Sequence, residues 1–373
     1  MISTSTGRKR IAIDCRALVR TRAGIGRYLY RLLEELALRS DDHEYYLYAP
    51  GAVELPPACL ADERFTVRVR RFRIAILWLH AVVPFWIKRD QIDVFFGPNY
   101  ATPIVSLHPH RRVITIHDMV YARFPETMLW KTRLHNRLMI PVYAAVSDLV
   151  ITDSHFSAKE LIEITSLTEH KLRVIHLGAD ERRAGQPFRA EMRTSQYLLA
   201  VGTVEPRKNL ERLTRAYASL SDALRAQYKL VIVGRSLWGG LNPTSWFQQQ
   251  GLIGQAIFLD DVGDEELLTI YEHAALFVYP SLYEGFGLPI VEAMAHGVPV
   301  LCSYTSSLYE VADGAAIFCN PLSVPDIAAK IGIILEDTDL QLKLARLGRE
   351  RAQELTWDKT AQQTLQAVLG DDH

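Results

Sequence analysis

No apolar run in this sequence reaches the ~18 residues that a membrane-spanning helix needs, which excludes an integral helical membrane protein. Excess charge of either sign is also missing: 42 Lys and Arg against 43 Asp and Glu leave a net charge of −1. Nucleic acid is therefore not expected as a partner, because binding it uses a globally basic surface. Cysteine is scarce, and Cys15, Cys59, Cys302 and Cys319 lie far apart with no C-x-x-C pair. No histidine cluster stands at zinc spacing, so a disulfide scaffold and a structural zinc site both fall away, and a reduced cytoplasmic setting fits. The opening "MISTSTGRKR" runs directly into the strand-like "IAIDCRAL" without the charged-then-apolar pattern of a secretory leader, so a cytoplasmic protein is expected. A full G-x-G-x-x-G is absent as well: the position three beyond Gly26 is Leu29, which disfavours a nicotinamide enzyme.

What is present is an ordinary globular composition, 49% apolar and 23% charged, in a chain of 373 residues. That length exceeds what one hydrophobic core usually organises. Short Val- and Ile-rich runs alternate with amphipathic helical patterns, the mark of β-α units around parallel sheets. In the first half "RIAID", "YYLYA", "DVFFG", "RVITIHD" and "LVITDS" read as strands, with "GRYLYRLLEELALRS" as a helix. The second half repeats the scheme with "YLLAVGT", "YKLVIVG", "AIFLDD", "ALFVYP" and "VPVLCS". Between them residues 177–196 are polar, with Gly and Pro and no apolar period, as expected of a linker. The expected fold is α/β: two Rossmann-like, doubly wound domains facing each other across a cleft. Residues 1–180 form the first, 181–355 the second, and 356–373 a final helix. Ligands of such sheets sit beyond the carboxyl ends of the strands, where candidate residues should be sought.

Four stretches answer that search. Gly24-Ile25-Gly26 lies between the first strand and the first helix, where glycine lets the backbone approach a ligand. His117 and Asp118 end the strand "RVITIH". In "VEPRKNL", Arg207 and Lys208 stand at a strand-to-helix turn; cations there oppose the helix dipole unless an anion joins them, so a phosphate pair is the expected ligand. The richest stretch is "YEGFGLPIVEAMAHGVPV", residues 283–300. Pro289 suits a helix start and Gly297 a helix end, which sets Glu284 in the preceding loop and Glu292 about one turn into the helix. The amides from Gly285 to Leu288 would then suit an anion or sugar hydroxyls.

The segment "RVRRFRIAILWLHAVVPFWIKR", residues 68–89, holds 14 largely apolar residues from Ile74 to Ile87 between Arg68, Arg70, Arg71 and Arg73 and the pair Lys88-Arg89. Too short to span, it reads either as a core helix with basic ends or as an interfacial segment, with Trp78, Phe85 and Trp86 at the acyl boundary.

Taken in order, "GIGRY", "ITIHD", "VGTVEPRKNL" and "YEGFGLPIVEAMAHGVPV" resemble family 4 of the GT-B glycosyltransferases, with Glu284 and Glu292 as its E-x7-E pair. The similarity covers nearly the whole chain. It implies a retaining transferase in which Arg207 and Lys208 hold the donor diphosphate and Glu292 the ribose. Glu284 and the amides of Phe286, Gly287 and Leu288 would hold the transferred sugar. Gly24 and Gly26 would lie near the diphosphate, His117 near the donor sugar, and Asp260, Asp261 and Val262 near the base. Most members have Gly-Tyr or similar at the two Asp positions. The final helix, entered through Trp357, would fold back on the first domain.

The resemblance is strongest to bacterial enzymes of O-antigen and exopolysaccharide synthesis, many of them mannosyltransferases using GDP-mannose. UDP-glucose, UDP-GlcNAc and dTDP-rhamnose stay open as donors. The acceptor implied is a saccharide linked to polyprenyl diphosphate, with anionic-membrane contact through residues 68–89 at the inner face of the plasma membrane. No metal or other cofactor is expected. The one D-x-D triplet, Asp337-Thr338-Asp339, falls between two amphipathic helices and reads as a helix cap. An epimerase on the same scaffold and a non-catalytic sugar-nucleotide binder are the competing classes.

Overall fold

The computed structural model of the chain describes residues 7–19, 24–108, 110–179, 196–236, 241–260 and 262–370. Contacts group it into two compact units. One comprises Met1–Arg123, Met128–Leu177 and Trp357–His373, and the other Phe124–Thr127 and Gly178–Thr356.

The first unit is built on β1 (Arg10–Asp14), β2 (Glu44–Ala49), β3 (Phe65–Val69), β4 (Val94–Gly97), β5 (Arg111–Thr115), β6 (Leu149–Thr152) and β7 (Leu172–Val174). They make one parallel sheet in the order β3-β2-β1-β4-β5-β6-β7. Ile11 of β1 is in register with Tyr45 on one side and Val94 on the other. All four residues of β4 and of β6 are buried, as strands covered on both faces require. Strand order reverses beside β1, which makes the carboxyl edge between β1 and β4 a topological switch point.

The second unit repeats this with β8 (Gln196–Val201), β9 (Tyr228–Val233), β10 (Ala256–Leu259), β11 (Leu276–Tyr279), β12 (Val300–Ser303) and β13 (Ile317–Cys319). Its parallel order is β10-β9-β8-β11-β12-β13, with the reversal between β8 and β11.

Three strands escape the sequence pattern. β7 and β13 have three residues each, too few to show a period. β3 alternates as an edge strand and takes in Arg68, which the apolar reading assigned to the flank of a helix. Arg68 pairs there with the buried carboxylate of Asp90 at 3.3 Å, and Tyr48 Oη donates to the same group at 2.9 Å.

Residues 68–89 also need a correction. They form β3's end and two short helices, Ala75–Ala81 and Val83–Arg89, the second with Pro84 in its first turn. Trp78 is fully buried, and Trp86 meets the Tyr48 ring edge-on at 5.1 Å and the Trp78 ring at 5.8 Å. Both tryptophans serve the core, because their rings find apolar partners on β2 and on each other. Phe72, Ile74, Leu77 and Phe85 do face solvent.

The helix Trp357–Leu369 belongs to the first unit. Trp357, Thr360, Ala361, Thr364, Ala367 and Val368 are its buried stripe, and it packs on the helix Ile25–Leu38. The Trp357 ring lies 6.3 Å from that of Tyr28, and Thr360 Oγ1 donates to His176 O at 2.8 Å. Arg39 pairs with Asp358 at 2.7 Å.

Candidate active site

β8 runs out through Gly202 into a single turn, Pro206–Lys208, and Asn209 at φ 60° then starts the helix Leu210–Ala218. The Asn209 side chain is buried and donates to Pro280 O at 2.9 Å and Pro321 O at 2.7 Å. It thereby ties the loop after β8 to the loop after β11, across the switch point. Gly234 is needed for the same reason: a Cβ there would lie 1.9 Å from Gly202 O.

The tie brings the expected residues together. Lys208 Nζ donates to Glu284 Oε1 and to Tyr279 Oη, each at 2.7 Å. Arg207 Nη1 donates to Glu284 Oε2 at 2.8 Å and to Tyr283 O at 2.7 Å, and Nη2 to Glu205 Oε1 at 2.6 Å. One carboxylate, only 6% exposed, thus receives two cations. The anion expected beside Arg207 and Lys208 is supplied here by the protein itself. Burial works to raise the Glu284 pKa, yet the two cations overcome it and hold the group at about 2, from an ordinary 4.5. Lys208 has only a share in that anion. Burial, with Arg207 adding repulsion, keeps its ammonium below the usual lysine range against the pull of Glu284.

The loop carrying Glu284 is pinned from below. Ser307 Oγ lies 2.9 Å from both Glu284 O and Phe286 O, and Glu284 N donates to Ser306 Oγ at 3.0 Å. Gly287 has φ 104° and its missing Cβ would meet Leu308 Cδ2 at 2.5 Å, so only glycine fits. The helix then begins at Leu288 and ends at Ala295, one residue earlier than Pro289 suggested. Pro289 brings no N–H to its first turn and Ile290 N donates to Gly287 O at 3.0 Å, so the amide of Leu288 is the one that opens the helix, at the end that suits an anion or hydroxyl oxygen.

Glu292 is buried on this helix and turned elsewhere: its Oε2 accepts from Tyr271 Oη at 3.0 Å, on the helix Asp264–Glu272. Tyr271 in turn stacks on His296, with ring centroids 5.7 Å apart. Val262 is half-buried just ahead of the helix Asp264–Glu272, and Asp260 is exposed beyond β10. Asp261 lies outside the described residues.

In the first unit Gly24, at φ 54°, is the residue before the helix Ile25–Leu38, and Gly26 is buried in its first turn. His117 sits beyond β5 with both ring nitrogens engaged: Nδ1 with Asp153 Oδ2 at 2.7 Å and Nε2 with Pro98 O at 3.0 Å. A carbonyl can only accept, so Nε2 carries a proton. Burial opposes the charge on this imidazole, but the Asp153 carboxylate outweighs it and raises the His117 pKa. Tyr28 meets the ring edge-on at 4.9 Å.

Asp337 Oδ1 accepts from Leu340 N at 2.9 Å and caps the helix Thr338–Glu354, so this carboxylate of the D-x-D triplet is used in the fold. Sequence reasoning missed Tyr279, Glu205 and the serine pair 306–307. For Tyr279 one signal existed: it is the last residue of β11, at the carboxyl edge.

Two parallel doubly wound sheets, with Arg207, Lys208 and Glu284 gathered at the carboxyl edge of the second, define an α/β protein whose polar cluster stands where such sheets place their ligands. Comparison with known proteins narrows the class. Residues 186–351 match the family described as glycosyl transferases group 1, and residues 22–183 match glycosyltransferase family 4. The O-antigen chain mannosyltransferase B of Escherichia coli is 30% identical over 92% of this chain and 95% of its own. The O-antigen chain mannosyltransferase RfbU of Salmonella typhimurium is 28% identical over 80% and 84%. Among solved structures, the Anabaena protein HepE in complex with UDP-glucose superposes with a TM-score of 0.75 at 17% identity, covering 98% of this chain and 100% of that one. At that identity the likeness speaks for the GT-B fold alone. The chain belongs to the family 4 glycosyltransferases.

Proposed function

We propose that the chain transfers mannose from GDP-mannose, with retention at the anomeric carbon, to a lipid-linked saccharide in the assembly of a surface polysaccharide. The observation that carries the chemistry is the pair of half-buried cations, Arg207 and Lys208, converging on one carboxylate at the switch point of the second sheet. The donor is supported by the names of two relatives, both O-antigen mannosyltransferases.

In this reading the donor diphosphate takes the place of the Glu284 carboxylate on Arg207 and Lys208. Glu284 and the amides of Phe286, Gly287 and Leu288 then bind hydroxyls of the sugar, Glu292 the ribose, and the Val262 region the base. Gly24, Gly26 and His117 enter the proposal on the resemblance alone. The bond from the anomeric carbon to the β-phosphate oxygen breaks, and the acceptor oxygen bonds to the same face of the sugar. Its proton passes to the departing phosphate. Fixed cations stabilise the charge where it develops; losing one such donor costs about 2.7–4 kcal/mol of barrier. No metal takes part, so turnover in excess EDTA should match turnover without it; collapse on chelation would overturn that point.

The acceptor and the place of action follow the same reading. A polyprenyl-diphosphate-linked saccharide sits at the cytoplasmic face of the membrane, and residues 68–89 would touch it. Exposed Arg70, Arg71 and Arg73 beside Phe72, Ile74, Leu77 and Phe85 support that contact, and no helix among the described residues is long and apolar enough to cross.

A thermal-shift series of nucleoside diphosphates and their sugars tests the donor. A ligand at 100 times its dissociation constant stabilises by about 2.7 kcal/mol. GDP-mannose should give the largest shift and Lys208→Ala should abolish it. A larger shift with UDP-glucose, UDP-GlcNAc or dTDP-rhamnose would move the donor assignment, and no shift with any of them would end the transferase reading. Incubation with donor and no acceptor separates it from an epimerase, which would yield an altered sugar nucleotide.

A further inference from the structure

Tyr271 is fully buried near the end of the helix Asp264–Glu272, with its ring stacked on His296 and 5.6 Å from that of Phe277. Phenylalanine would fill such a place as well, and a hydroxyl taken out of water costs free energy unless it is bonded. The bond it makes is therefore the reason for a tyrosine here. Its Oη donates to Glu292 Oε2 at 3.0 Å, and Glu292 is itself only 3% exposed. The pair is held from a second side, because His296 Nδ1 donates to Glu292 O at 2.8 Å. The ring that stacks on Tyr271 is thus tied to the turn that carries the carboxylate.

A link between two helices does not call for a carboxylate. Glutamine would accept the same bond, and burying an amide costs less than burying a charge. A carboxylate kept at this depth suits a ligand that brings donors of its own. It offers about four acceptor sites, and the Tyr271 hydroxyl takes one of them, so a vicinal diol can address the same group. Left to rotate about its last bond, the carboxylate would meet that diol in one orientation among several, and the ordering would be lost from the affinity.

We propose that Tyr271 is a positioning residue for the ribose of the sugar nucleotide. Its hydroxyl fixes the rotation of the Glu292 carboxylate, and the oxygens so fixed accept from the 2′- and 3′-hydroxyls. Tyr271 touches no ligand and acts through Glu292. The inference rests on the assignment of Glu292 to the ribose made above and adds what gives that contact its direction. Its consequence is selectivity for ribose over a sugar that lacks the diol.

Calorimetry on the full chain, with GDP against 2′,3′-dideoxy-GDP and UDP against 2′,3′-dideoxy-UDP, tests it whichever of the two bases the site takes. Wild type should bind the ribose form about tenfold or more tighter than the dideoxy form, as expected when a charge-assisted bond is removed. Tyr271→Phe keeps the ring and removes the hydroxyl. It should weaken the ribose form by about fivefold or more, leave the dideoxy form at its wild-type affinity, and so shrink the ratio. Glu292→Gln should shrink it as well, and Tyr271→Phe added to that variant should shrink it little further, because the tyrosine acts through the carboxylate. Urea midpoints of the variants establish that folded chain is titrated. An unchanged ratio in Tyr271→Phe, whether or not both forms bind more weakly, would reduce the bond to a link between helices and overturn the inference while Glu292 kept its place. An unchanged ratio in Glu292→Gln, or a wild type that does not tell either nucleotide from its dideoxy form, would remove Glu292 from the ribose and end the inference with it.

Discussion

Glu284 is shared by Arg207 and Lys208, and this sharing decides how the site responds to acid and to ligand. Its folded pKa lies below the unfolded value, so the stabilisation is complete above about pH 4.5 and is lost as pH falls through about 2. The drop from 4.5 to about 2 corresponds to about 3 kcal/mol. Glu284→Gln should therefore unfold at lower urea than wild type at pH 7, and the gap should close between about pH 4.5 and 2. A gap independent of pH would show that the carboxylate charge is not what stabilises the pair. The same variant removes the carboxylate charge that competes with a diphosphate for both cations, so GDP should bind at least as tightly by calorimetry while turnover falls. At this scale the sequence made the cradle legible, because Arg207, Lys208 and Glu284 all follow strands. It could not show that Lys208 closes on Tyr279 or that Glu292 turns to Tyr271. Spacing reveals which side chains share a turn; it says nothing of the side chains that another turn brings to meet them.

Among the elements, the loops after β8, β9 and β11 act as one piece, because Asn209 and the close approach of Gly234 to Gly202 hold them together. Gly234→Ala would push a methyl group into the Gly202 carbonyl, a backbone contact that no rotamer relieves. It should cost about 2 kcal/mol or more in urea unfolding. It should also displace Lys208 and so reduce the GDP thermal shift, although Gly234 itself touches no ligand. A wild-type shift in this variant would separate the two loops. Elements with a strong period were readable: the strands around β1 and β8 and the helix Ile25–Leu38 stand where the apolar pattern set them. Of the edge strands β10 was readable, while β3 was not, since it mixes arginine and valine, nor were β7 and β13, with three residues each. Residues 68–89 deceived for a related reason: a run of apolar residues does not say which of them the core will take.

For the molecule as a whole, two sheets of one design explain why a single pattern of strands occurs twice in the chain. The two halves are less equal than they look, because the first unit is finished by residues from the far end of the sequence. Trp357→Ala removes a ring that is 5% exposed against Tyr28 and should lower stability by about 3–5 kcal/mol. Ending the chain at Thr356 should expose Ile25–Leu38 to limited proteolysis while 178–356 stays resistant. Equal resistance of both units would contradict the packing seen for the last helix.

That last helix also sets an order of events during synthesis. Residues 178–356 leave the ribosome complete and can fold at once. The sheet that begins at Arg10 must wait, one flank uncovered, until Leu369 has emerged. The part made first is thus the part finished last.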